Sequence, residues 1–126
     1  MELKFQMATG NPNSDFEVKS ITYADLFKEI SSYINATQEI NIVKSNYLIQ
    51  FSLYTSPNFL VPNGAWTTIG VLKDEYCPKI DVNFIGIVGA ANYPSMYSIS
   101  PNGAVNVYQL SGVPNQCSAG CIYILK

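Results

Sequence analysis

The side chains with the strongest chemistry in this sequence are three cysteines, nine carboxylates and nine tyrosines; histidine and arginine are absent. Cys117 and Cys121 stand four apart. In an extended strand their Cα atoms lie about 13 Å apart, whereas a disulfide needs less than about 7 Å. A tight turn at Gly120 would close that gap. With Cys77 they make three thiolates, one short of a zinc site, and no histidine supplies the fourth ligand. Free buried thiols are expected, with no metal and no cofactor.

The carboxylates show no pairing beyond Asp74-Glu75, which read as a charged, solvated turn. A glycosidase needs two facing carboxyl groups, and the sequence points to no such pair. No nucleophile elbow, phosphate loop or Ser/His/Asp set is present, and with histidine missing the commonest general base is gone. A non-catalytic protein is expected. The tyrosines remain. Together with six phenylalanines they exceed what one small core needs. Asn92, Tyr93, Tyr97 and Tyr108 lie in or near the loop and hairpin after Val88. A tyrosine ring can stack on the C–H face of a sugar while its hydroxyl makes a hydrogen bond, so these four are candidate saccharide contacts. Ordinary strand tyrosines with hydroxyls in water are the alternative.

Composition narrows the classes further. At 126 residues the chain makes one domain, or one domain with an appendage, and it is long enough for a genuine core. Hydrophobic residues make up 48% and charged residues only 13%, which describes a folded protein. Net charge is −2 and all basic residues are lysine, with no basic cluster. The electrostatic term that drives nucleic-acid binding is therefore missing. Met1–Gln6 lacks the apolar core of a signal peptide. The longest apolar run, Phe84–Ala91, is far short of a membrane span. A soluble, cytosolically made protein is expected, and the Asn35-Ala36-Thr37 sequon then reads as incidental.

The elements that must position these side chains are mostly strands. Residues 1–38 read as an N-terminal appendage, with short strands over Leu3–Ala8 and Phe16–Ser20. One amphipathic helix follows from Thr22 to near Asn35, with Tyr23, Leu26, Phe27, Ile30, Tyr33 and Ile34 along one face. That stripe covers an opening of the β-core or forms an oligomer seam. Residues 39–126 read as a β-sandwich head, with strands over Ile40–Val43, Tyr47–Thr55, Phe59–Val61, Trp66–Leu72, Asp81–Val88 and Ala119–Leu125. A hairpin joins Ser95–Ser100 to Ala104–Leu110 through Pro101-Asn102-Gly103, where Asn-Gly supplies the positive-φ residues of the turn. Gly86 reads as a bulge. Trp66, Gly70, Pro78 and Gly103 are expected to be structural, with Trp66 packed in the core. The fold expected is all-β, a jelly-roll-like antiparallel sandwich with a short N-terminal strand and one amphipathic helix.

Gly64-Ala65-Trp66-Thr67-Thr68-Ile69-Gly70-Val71-Leu72, then a short polar turn and Tyr76-Cys77-Pro78, resembles the C-terminal head domains of tailed-bacteriophage tail fibres and baseplate receptor-binding proteins. The later Ile99-Ser100-Pro101-Asn102-Gly103-Ala104-Val105-Asn106-Val107 resembles a hairpin of the same domains. The resemblance covers about Asn63 to Leu125, and Cys77 departs from it where such heads often carry arginine. It implies a virion protein of the tail tip or baseplate, assembled as a homotrimer among other tail proteins. Its implied role is host attachment through a cell-surface saccharide. A structural baseplate or fibre-cap protein is the alternative, and a glycan depolymerase is disfavoured by the lack of an acid/base pair. Neither nucleic acid nor membrane insertion is expected.

Overall fold

The computed structural model describes residues 16–89 and 92–126. The strand expected at Leu3–Ala8 lies outside them. Nine strands follow in order: β1 (Glu17–Thr22), β2 (Phe27–Ile30), β3 (Glu39–Lys44), β4 (Leu48–Tyr54), β5 (Thr67–Leu72), β6 (Val82–Val88), β7 (Pro94–Ile99), β8 (Ala104–Gln109) and β9 (Cys117–Ile124). All belong to one curled antiparallel sheet in the order β1-β3-β4-β9-β6-β7-β8-β5-β2. The fold is all-β and consistent with a jelly-roll-like sandwich.

The dozen-residue helix is a correction. Only Tyr23–Leu26 is helical (α1), a single turn after Thr22, and Phe27 already has extended backbone. The same apolar residues serve a different geometry. Tyr23 and Leu26 point inward from the turn, and Phe27–Ile30 then bonds along β5 as an edge strand. A lone helix of that length is marginal, and the bonds offered by the edge of β5 outweigh its propensity. The stretch expected to be an appendage is thus bonded into the sheet at both ends, β1 on β3 and β2 on β5.

Inside the curl, strand alternation packs Ile42, Ile49, Phe51, Leu53, Ile69, Leu72, Val88, Tyr97, Ile99, Val105, Val107 and Tyr123 into one core with Tyr23, Leu26 and Phe27. Buried polar groups are tied down. The Tyr23 hydroxyl donates to Ser52 O and accepts from Tyr54 N–H, each at 2.8 Å. Gln109 is fully buried; its Nε2 donates to Val61 O and Val113 O, and its Oε1 accepts Ser111 N–H. Tyr123 donates to Tyr76 O at 2.6 Å.

The glycines act by close approach. Gly86 pairs in regular register with Ser95, so it is not a bulge. A Cβ there would press on the Ser118 carbonyl and on Ala119. The bulge sits instead between Thr68 and Gly70 on β5. It turns Gly70 inward, where a Cβ would lie 2.8 Å from the Phe27 ring. In the β7–β8 turn only Gly103 has positive φ, at 92°, and Asn102 does not. Asn102 Oδ1 instead accepts from Ser100 Oγ–H and Ala104 N–H. Pro78 is buried and bridges to Leu125.

Two stability outcomes follow. Gly86→Ala forces β6 off β9 and should cost about 1–3 kcal/mol; an unchanged melting temperature would contradict the close packing. Tyr23→Phe removes the partner of the part-buried Tyr54 N–H and Ser52 carbonyl and should cost about 1–3 kcal/mol, read as a lower urea midpoint at unchanged slope.

Candidate functional site

The four residues singled out from sequence separate in space. Tyr97 is 1% exposed and stacks on Phe84 inside the sheet, centroids 5.2 Å apart. No ligand can reach it from the surface, so it is withdrawn as a contact. Its hydroxyl is buried and makes no hydrogen bond among the described residues. Tyr108 is partly exposed on the opposite, outer face. Asn92 and Tyr93 are exposed at the β6–β7 connection, where the Tyr93 carbonyl accepts from Val88 N–H.

Trp66 is the second correction. It precedes β5 and is 54% exposed. Its flanking glycines lie at a turn and beyond the bulge, so they do not enclose it in a core strand. The indole lies against the Tyr108 ring, centroids 5.4 Å apart at 51°. The pair forms an aromatic surface on the outside of the sheet.

Strand register extends that surface. Tyr108 pairs with Met96, and Met96 with Ile85, all facing out. Beside this row runs a polar one, again in register: Thr68 with Asn106, Asn106 with Ser98, Ser98 with Asn83. Thr68 Oγ1–H donates to Asn106 Oδ1, and Asn106 Nδ2–H reaches Ser98 Oγ at 3.5 Å. The amide is thereby held with its oxygen toward Thr68 and its nitrogen toward Ser98. Not one residue of β5, β6, β7 or β8 is charged. Parity was the available signal for Thr68, Asn106, Ser98, Met96, Tyr108 and Ile85, since each lies one position from a buried strand neighbour.

At Asn83 the polar row meets a cleft. β6 and β9 pair only through Val88–Cys117 and Ile87–Ser118, then part. The opening, about 620 Å³, is lined by Asn41, Gln50, Asn83, Phe84 and Cys121 among others.

The cysteines are free and buried. Among the described residues no three His, Cys, Asp or Glu side chains gather where a metal could bind. Burial pushes the Cys117 thiol up to about 11 and the Cys121 thiol to about 12. Burial likewise raises Tyr23, Tyr97 and Tyr123. No helix among the described residues is long and apolar enough to cross a membrane. Compared with known proteins, the chain matches no family model and no curated sequence.

The thiol shifts set an alkaline limit. An unfolded thiol loses its proton near the ordinary value of 9.0, whereas folded Cys121 keeps its proton to about 12. Stability from these groups is therefore complete below the unfolded value and is lost as pH rises through that window. Denaturation midpoints should fall from about pH 9 upward, less steeply in Cys121→Ala. Midpoints flat to about pH 11 would contradict the assignment.

Proposed function

We propose that this chain is a non-catalytic receptor-binding module of a tailed-bacteriophage tail tip or baseplate, and that it recognises a saccharide of the host cell surface. One observation carries the saccharide part: an exposed Trp66–Tyr108 pair beside a hydrogen-bonded row of hydroxyls and amides, on a face without charge. A sugar ring offers the complementary surface, an apolar C–H face for the aromatic rings and edge hydroxyls for the row. Hydrolysis by paired carboxyls has nothing to draw on in these strands. The phage setting, with its place in the virion, rests on the resemblance over about residues 63–125.

Homotrimeric assembly belongs to the same proposal. Three such faces on one tip would raise avidity by about 10²–10⁴ over one weak site. A second reading, a structural baseplate or fibre-cap protein contacting other tail proteins, draws on a different patch. Val18, Ile122 and Ile124 are exposed at 71%, 62% and 58% on the outer side of β1 and β9. Patches of that kind mark protein interfaces.

A glycan array probed with the protein and with Trp66→Ala and Tyr108→Ala tests the proposal. Each variant should keep the parent's melting temperature within a few degrees, since neither ring lies in the core, and lose roughly tenfold or more in affinity. Full binding by both variants would exclude this face as the site.

A further inference from the structure

Resting on the saccharide reading above, the geometry points to one ligand class. We infer that the face binds the interior of a neutral polysaccharide chain laid across the strands, with about three consecutive rings in contact. Four features of the two rows lead there.

The first is direction. Trp66, Tyr108, Met96 and Ile85 form a row perpendicular to the strands, as do Thr68, Asn106, Ser98 and Asn83. Neighbouring strands lie about 4.8 Å apart, so each row spans about 14 Å, whereas the two rows are separated by about 7 Å along the strands. The elongated platform fits a chain running along the rows, ring faces on the apolar row and one edge over the polar row.

The second is what lies at the Asn83 end. Beyond Asn83 the platform leads into the β6–β9 cleft. A terminal sugar is usually held in an enclosing pocket, whereas this cleft stands open. A chain can continue past Asn83 along it.

The third is neutrality. β5 to β8 carry no lysine, aspartate or glutamate, and arginine and histidine are absent from the sequence. A uronate, sialate or phosphate on this face would shed water without gaining a counter-charge. Neutral rings incur no such cost.

The fourth is the fixed polarity of the row. Thr68 gives its proton to Asn106, which leaves lone pairs to accept from a sugar hydroxyl. Ser98 accepts from Asn106, so its own proton is free to donate outward. The Thr68 acceptor and the Ser98 donor thus stand two strand spacings apart, about 10 Å, on either side of Asn106, as an edge of sugar hydroxyls can match.

The test uses the intact protein and an array of bacterial polysaccharides, neutral and acidic, with fragments of one to six rings. Hits should be neutral. Affinity should rise roughly tenfold from one ring to three and level off by about four. It should stay within about twofold between about 0.05 and 0.5 M NaCl. Asn106→Ala, with its melting temperature checked, should weaken three-ring fragments more than single sugars. Acidic hits, salt-sensitive binding, or a monosaccharide bound as tightly as a three-ring fragment would overturn this inference and leave the Trp66–Tyr108 site standing. Binding to no glycan at all would overturn the saccharide reading itself.

Discussion

Both edges of the nine-stranded sheet come from one stretch of chain, Glu17–Ile30, and the rest of the molecule depends on that closure. β1 pairs with β3, the chain makes one helical turn, and β2 pairs with β5 at the far side of the sheet. Curling the sheet in this way brings its edges together and buries the inner side chains of most strands in one core. Tyr23 sits at the turn, fully buried, and its hydroxyl grips the end of β4 through Ser52 and Tyr54. A residue at that position must fill the core and satisfy two backbone groups at once. Tyrosine does both.

Closure also sorts the surface. With the inner face filled, alternation sends every second residue of β5 to β8 outward, and those residues are neutral or aromatic. The charged strand residues lie on β1, β2 and β3, and Lys28 of β2 meets Asp74, just beyond β5, in an exposed pair. A largely neutral outer face thus stands beside a charged flank. The flank carries charge at the surface, while the face carries the apolar and amide groups on which the proposed sugar site rests. The Thr68–Asn106–Ser98 hydrogen bonds tie side chains of three strands together on that face, which would lower the ordering cost of the proposed binding.

Much of the architecture was legible in the sequence. The β7–β8 hairpin follows from alternation around Pro-Asn-Gly, and the strand near Ile40–Val43 and those after it were placed within a few residues, except Phe59–Val61, where Val61 makes only an isolated bridge to Asn115. The helix was not legible. Tyr23, Leu26, Phe27 and Ile30 satisfy a helical period, and only the free edge of β5, far away in sequence, decides against it. At the site, Tyr97 and Tyr108 looked equivalent by residue type. Parity separates them: Tyr97 lies two residues before buried Ile99, and Tyr108 lies next to buried Val107. Trp66 was harder. Its place depends on a bulge between Thr68 and Gly70, which no local pattern announces.

The central claim is that one outer face, with Trp66 at one end of its aromatic row, meets the ligand. Trp66 is the single tryptophan of the chain, so its fluorescence reports on that face alone. The account predicts red-shifted emission from the free protein, as for an indole in water. It also predicts a blue shift that saturates as a bound neutral oligosaccharide covers the ring, with no change on adding a non-binding sugar. Blue-shifted emission before any ligand is added would place Trp66 in the core. Emission unmoved by a saccharide that calorimetry shows to bind would place the site elsewhere.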